Sequence, residues 1–245
     1  MTERGAALVT GGARRIGRAL VIAAADAGFD VAIHVRGVDD EAETAAAEVR
    51  KRGRKAAILA CDLRKESTTV ALVGEAEAEL GPVTLLVNSA STFEEDAFAD
   101  MNRASWDAHM ETNLRSPLVL AQTFARRLPA GREGLIVNIL DQRVLNPTPE
   151  FFSYSLSKAA LWEATRLLAQ ALAPRVRVNG IGPGPTLPNS HQDQAAFEAE
   201  AAATLLRRPV PPSEIGQALR YLIDATSVTG QMIAVDSGQH LAWMS

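Results

Sequence analysis

The chain is short of the residues that several kinds of chemistry require. Among its 245 residues there is one cysteine, Cys61, so no internal disulfide can form, and a reducing cytoplasm is the expected setting. Cys61 ends the apolar run KAAILAC and reads as a small buried residue rather than a nucleophile. The four histidines, His34, His109, His191 and His240, show no metal-ligand spacing, and no metal is expected. No apolar run is long enough to span a bilayer, so no membrane span is expected. The N-terminal MTERGAALVTGG lacks a basic n-region and a long apolar h-region, and is not read as a signal peptide. An excess of one charge is missing too: 25 basic residues face 29 acidic ones, for a net charge of −4. That argues against a general nucleic-acid or anionic-membrane surface, but leaves room for a small basic site.

What remains is a composition 47% hydrophobic and 22% charged, that of a soluble globular protein long enough for one well-buried domain. Short apolar runs recur along it: AALVT, FDVAIHV, KAAILAC, VTLLVNSA, GLIVNIL, RVRVNGI and QMIAVD. Most are continuous rather than alternating, which suits strands of a parallel sheet covered on both faces. Helix-like segments lie between them, over 16–27, 39–52, 66–79, 103–128, 152–173 and 213–224. This alternation predicts an α/β fold, a Rossmann-type doubly wound parallel sheet of seven strands with helices on both faces, as a single domain over 1–245. The segment DDEAETAAAEVRKRG carries its acids first and its bases last, as a helix dipole prefers, and Gly53 stops it. Prolines keep IGPGPTLPNSHQDQ, residues 181–194, out of regular structure. It leaves the carboxyl end of a strand, where such sheets bind ligands. Residues 181–206 are therefore expected to be a substrate loop and lid, with a mobile helix over 193–206.

TGGARRIG, residues 10–17, follows the first strand and opens the first helix. A glycine-rich turn there puts backbone N–H groups and a helix N-terminus against a phosphate. A tight turn without a ligand is the plainer alternative. Within a first βαβ unit the phosphate reading is favoured. An NAD site often has an acid at the end of the second strand to hold the ribose 2′-hydroxyl. This chain has Arg36 there, with Arg14 in the turn. A guanidinium binds a 2′-phosphate bidentately, so NADP(H) is predicted over NAD(H). Farther on, Tyr154 and Lys158 stand four residues apart in a helix-like segment and share a face. A nearby ammonium favours the phenolate, and such a pair can supply a proton to a substrate that receives hydride. Alone, the spacing carries little weight.

Its company carries more. The pattern TGxxxxxG, Asn88-Ser89-Ala90, Asn113, Tyr154-x-x-x-Lys158 and Pro183-Gly184, in that order, resembles the short-chain dehydrogenase/reductase family across essentially the whole chain. The resemblance implies that Tyr154 is the proton donor, that Lys158 binds the nicotinamide ribose, and that Asn113 helps hold a water relay. Pro183 and Gly184 would flank the nicotinamide, Asp62 would contact adenine, and Asn88 and Ala90 would flank the adenosine ribose. Gly11, Ile16, Gly17, His34, Leu63 and Thr186 complete the implied cofactor site. The family usually has Asn-Asn-Ala-Gly after the fourth strand and a catalytic serine at the end of the fifth. Here these positions read Asn88-Ser89-Ala90-Ser91 and Asp141. Neither Ser153 nor Ser155 replaces that serine, because both lie beside Tyr154 on its own helix.

These departures, with an arginine for the second glycine and the run RVNGIGPGPT, resemble the pteridine reductase branch, its bacterial dihydromonapterin and dihydrofolate reductase-like members above all. The branch implies a pterin stacked between the nicotinamide and Phe93. It also implies an Asp141–Tyr154–Lys158 set for proton delivery, and Arg15 turned toward cofactor phosphate and substrate. A carboxyl group can hydrogen-bond an aminopyrimidine edge, which a hydroxyl does less well. The plainer readings are a loop cap for Asp141 and ordinary packing for Phe93. The enzyme expected is thus an NADPH-dependent reductase of a dihydropterin such as dihydromonapterin or dihydrobiopterin, with dihydrofolate a further candidate. The alternatives are a carbonyl reductase, for instance of 3-oxoacyl thioesters, and a non-catalytic NADP(H)-binding sensor or scaffold. The C-terminal QMIAVDSGQHLAWMS resembles the family's last strand and tail, which implies a homotetramer, and Trp243 would be oddly exposed in a monomer.

Overall fold

The strand-forming runs all find places in one sheet. A computed structural model describes residues 4–189 and 191–242, and Trp243 lies outside them. The strands are β1 (Ala6–Thr10), β2 (Asp30–Val35), β3 (Ala56–Ala60), β4 (Val83–Asn88), β5 (Gly134–Ile139), β6 (Val176–Pro183) and β7 (Met232–Val235). They pair in parallel in the order β3-β2-β1-β4-β5-β6-β7. The order reverses between β1 and β4, which opens a crevice at their carboxyl ends.

Alternate residues of each strand feed two separate cores. Ala7, Val9, Ile33, Leu85 and Val137 pack on one face with α1 (Arg15–Asp26), α2 (Asp40–Lys51) and α8 (Pro212–Asp224). Ala6, Leu8, Ala32, Leu86 and Ile136 pack on the other with α3 (Glu66–Leu80), α5 (Ser116–Arg127) and α6 (Phe152–Leu172). Both faces of the central strands are therefore apolar, which is why their sequences run without alternation. Edge strand β3 is only half-buried. In α2 the Asp39 side chain caps Ala42 N–H at 2.9 Å, and Gly53 follows the helix end with φ +72°.

The long helical segment expected over 103–128 is not uniform. It runs as α4 (Arg103–His109), then one wider π turn over Met110–Arg115, then α5. The π turn carries Asn113, and such irregular turns concentrate where a side chain must be aimed. The polar stretch after β6 contains α7 (Gln194–Ala202), which buries Phe197 and Ala201. Among the described residues no helix is long and apolar enough to cross a membrane.

Candidate active site

The crevice between β1 and β4 widens into a cleft of about 1370 Å³. At one end lies the glycine turn. Gly11 takes φ +64°, and a Cβ there would meet Ala90 Cα at 3.0 Å. At Gly17 a Cβ would stand 2.0 Å from the Gly11 carbonyl oxygen, so only glycine lets α1 start this close to the turn. The first turn of α1 holds no acidic residue. Exposed N–H groups and the helix dipole thus favour an anion there, and the turn fits a dinucleotide phosphate.

Arg15, standing where glycine was expected, does adopt the left-handed conformation, with φ +53°. That costs an ordinary side chain about 1–2 kcal/mol. Its guanidinium crosses the cleft and donates to the carbonyls of Pro188 (2.8 Å) and Leu187 (3.1 Å). Arg15 therefore ties the turn to the loop after β6 and, in this arrangement, is not turned to a phosphate. Arg14 is held by Asp39 and by Glu41, the latter at 2.8 Å. Arg36 is exposed on the cleft wall, and among the described residues no acid pairs with it.

Two further residues of the expected cofactor site, His34 and Asn88, have side chains engaged by the chain itself. The His34 ring is buried, and both its nitrogens are engaged: Nδ1 accepts from Gly11 N–H at 3.3 Å and Nε2 meets the Cys61 carbonyl at 3.1 Å. Burial pushes its pKa below the ordinary value, so the ring is a neutral brace between the glycine turn and β3. Asn88 turns its side chain inward, donating to Asn138 Oδ1 at 2.8 Å, and is not on the cleft wall. The Asp62 carboxylate is on the wall, where hydrogen bonds from the Arg64 guanidinium lower its pKa to about 2. Ile16, Leu63, Ala90, Pro183, Gly184 and Thr186 also line the cleft. Cys61 is half-buried there, and burial raises its thiol pKa.

The other end of the cleft is built by α6 lying across the end of β5. Tyr154 and Lys158, one turn apart, both point at the chain leaving that strand. The Tyr154 hydroxyl donates to Asp141 Oδ2 at 2.7 Å, and Lys158 Nζ donates to the Ile139 carbonyl at 2.9 Å. Asp141 serves twice, because its Oδ1 also caps Arg143 N–H at 2.8 Å. The expectation that the ammonium lowers the tyrosine pKa is reversed. Burial, followed by the Asp141 charge and hydrogen bond, raises Tyr154 well above its ordinary value. Burial also lowers Lys158 to about 8. Asp141, Lys158 and Phe93 line the cleft, and the buried Tyr154 hydroxyl reaches Asp141.

Phe93 stacks on Phe151 with centroids 4.3 Å apart and planes at 19°, and meets Tyr154 edge-on at 4.6 Å. Arg143 lies 5.0 Å from the Phe151 centroid. Phe151 and Arg143 belong to no motif, so no sequence signal points to them. Only the left-handed Phe151, with φ +50° just before α6, brings them together. Asn113 is buried, and its amide is spent on the chain itself: Oδ1 accepts from Thr92 N–H (2.8 Å), and Nδ2 donates to Thr92 O (2.9 Å) and Ser157 Oγ (3.1 Å). Its side chain is a clamp between the loop after β4 and α6, which leaves it little capacity for a water. Among the described residues no group of three or more His, Cys, Asp or Glu side chains is placed to hold a metal ion.

Comparison with known proteins agrees with this geometry. The FolM alternative dihydrofolate reductase 1 of Brucella canis, solved with NADP, is 47% identical, with a TM-score of 0.96 over 100% of this chain and 97% of its own. An uncharacterized oxidoreductase of Mycobacterium tuberculosis is 35% identical over 95% of this chain and 90% of its own length. The 3-oxoacyl-[acyl-carrier-protein] reductase FabG of Staphylococcus epidermidis is 27% identical over 96% and 98%. The family model described as short chain dehydrogenase matches residues 5–199. That match runs from β1 into α7 and takes in the glycine turn, Asp141, Tyr154 and Lys158 alike: the chain belongs to the short-chain dehydrogenase family.

Proposed function

We propose that the protein is an NADPH-dependent pterin reductase that converts a dihydropterin to a tetrahydropterin, with dihydromonapterin, dihydrobiopterin and dihydrofolate as the substrates to try. The observation that carries this reading is Asp141. It stands at the end of β5, faces the cleft, and is bonded to Tyr154. The Phe93 ring, stacked on Phe151, lines the same cleft. A planar aminopyrimidine finds here an aromatic slab and a carboxyl partner, and the NADP-bound Brucella relative, named for dihydrofolate reduction, agrees.

Reducing a C=N bond requires hydride at carbon and a proton at nitrogen. NADPH, along the glycine turn, would supply the hydride. Lys158 and the 183–186 loop would hold its nicotinamide half, and Arg36 and Arg14 its 2′-phosphate. The proton comes from the Asp141–Tyr154 pair. With Asp141 ionised, the pair favours neutral Tyr154, because a phenolate beside the carboxylate is opposed by like charge and by burial. Asp141 faces the cleft and bonds to Tyr154, so it is placed to pass the proton between the tyrosine and the substrate nitrogen. The hydrogen bond from Tyr154 stabilises its carboxylate.

NADPH oxidation by wild type, Asp141→Ala and Tyr154→Phe tests the proposal, with dihydropterin, dihydrofolate and acetoacetyl thioester as substrates. Pterin turnover that is lost in both variants supports it. Thioester turnover without pterin turnover would favour carbonyl reduction, and tight NADPH binding without any turnover a sensor. The same reading makes the protein a homotetramer, and a monomer by sedimentation at micromolar concentration would refute that part.

A further inference from the structure

Three buried polar side chains have no part in the chemistry above. Asp96, His109 and Ser153 are 6%, 0% and 0% exposed, so none can touch substrate as they stand. They are joined to one another. His109 Nδ1 lies 2.6 Å from Ser153 Oγ. The Ser153 hydroxyl donates to Asp96 Oδ2, and the Ser153 backbone N–H donates to Asp96 Oδ1 at 3.0 Å. On its far side the imidazole receives Glu94 N–H at Nε2, at 3.1 Å.

Proton direction along this chain is fixed from both ends. A backbone N–H can only donate, so His109 Nε2 is an acceptor and the ring proton sits on Nδ1. The ionised Asp96 can only accept, so the single hydroxyl proton of Ser153 is spent on it. Ser153 Oγ must then accept from His109 Nδ1–H. Both arguments give the same neutral tautomer. Burial holds the imidazole pKa below its ordinary value. Burial works against ionisation of Asp96, but the Ser153 hydrogen bonds keep its carboxyl below the usual range.

We infer that Asp96, Ser153 and His109 form a positioning relay that locks the Phe93 platform to the face of α6 bearing Tyr154. The segment carrying Phe93 has no regular structure and is fastened at three points: Thr92 by Asn113, Glu94 by His109, and Asp96 by Ser153. Phe93 sits between the first two. The anchors form two rungs. His109 and Asn113 are four residues apart on one helical rod, and they meet Ser153 and Ser157, four apart on α6. Tyr154 and Lys158 are the next residues along α6 from each rung. Asp96 also supplies the cap that α6 lacks locally, since the residue at its N-cap is Phe151. A broken first rung therefore moves the substrate platform and the Tyr154 end of α6 together, and leaves the glycine turn alone. The inference rests on the proposed function only in taking Phe93 and Tyr154 as the substrate side.

The test uses Asp96→Asn, Ser153→Ala and Ser153→Thr. Imidazole 15N NMR of the wild type should show His109 neutral with its proton on Nδ1. In Asp96→Asn an amide replaces one acceptor, and the Nε2–H form should appear. Dihydropterin KM should rise by roughly tenfold or more in Asp96→Asn and Ser153→Ala, as loss of a buried charge-assisted bond allows. The Kd for NADPH should stay within about twofold, because the phosphate turn is remote. Ser153→Thr, which keeps the hydroxyl, should recover most of the loss. An Nε2–H tautomer in the wild type would overturn the relay. So would unchanged steady-state constants in Asp96→Asn with a changed tautomer, or loss of NADPH affinity in step with turnover. The tautomer needs no substrate, so it judges the relay even if wild type fails to reduce pterins and the functional reading falls.

Discussion

The glycine-turn end of the cleft is exposed and charged, and its groups come from neighbouring turns. The Arg14, Asp39 and Glu41 side chains are 55%, 38% and 54% exposed. The Tyr154 end is buried and is wired across the chain: Tyr154 and Lys158 are 6% and 3% exposed, and they bond to Asp141 and Ile139 at the end of β5. Charges in water exchange partners at little cost and are screened by salt, so the first end can adjust to its ligand. Buried polar groups are costly to leave unpaired, so the second end holds one geometry. Substitutions should therefore erode cofactor affinity in small steps at one end and remove turnover in one step at the other.

The largest effect expected is at Asp141. Asp141→Ala should lower kcat by roughly 10²- to 10⁴-fold, the usual scale for a general acid, and leave the NADPH Kd nearly unchanged. Rapid-quench or steady-state kinetics beside fluorescence titration of NADPH separates the two. A parallel loss of cofactor affinity would show that the two ends are not independent. Next comes Gly17→Ala. With the Gly11 oxygen only 2.0 Å from the new carbon, the turn must open. Overpacking of this kind costs about 1–3 kcal/mol, and NADPH affinity should fall roughly 10- to 100-fold while thioester or pterin specificity is kept.

Arg36→Ala should be milder, lowering NADPH affinity by about tenfold for one lost charge-assisted contact and leaving NADH alone. Arg14→Ala should cost less, because Asp39 and Glu41 already hold that guanidinium. The Arg36 effect should shrink in high salt. If Arg14→Ala is the more damaging, the two acids release it when the phosphate arrives, and the exposed corner is more adaptable than its static pairing indicates.

The same contrast separates what is legible in the sequence from what only the fold assembles. The strands, the helices and the glycine turn follow from local patterns: apolar run length, caps, and a φ requirement met by Gly11. Tyr154 and Lys158 were legible because their spacing on α6 matches a family pattern, and Asp141, just after β5, because it departs from that pattern in the way one branch does. What was not legible depends on neighbours far apart in sequence. Arg15 meets residues 187 and 188 only because the β6 loop folds over the turn. Phe151 reaches Phe93 only because its backbone is left-handed. Ser153 looks redundant beside Tyr154 until Asp96 and His109 arrive from other elements. The tyrosine pKa went the other way for the same reason, since spacing placed the lysine while burial, which spacing does not measure, decided the sign.

A change in stability rather than in affinity is expected at Lys158, and it tests how tightly the Tyr154 end is buried. In the folded protein without ligand its pKa is lowered to about 8 from an ordinary 10.5. Between those values the unfolded chain binds more protons at this site than the folded one, so stability rises with pH across that window. Below about 8 both states are charged, and burial of the ammonium is a constant cost. Lys158→Met has no such group. The stability of wild type relative to Lys158→Met, from urea unfolding, should therefore improve by about 2 kcal/mol between pH 7.5 and 9.5. The subtraction cancels the other titrating groups. A flat difference would mean that the ammonium keeps its ordinary pKa, that water reaches it beside Ile139, and that the two ends of the cleft differ less in burial than their exposures indicate.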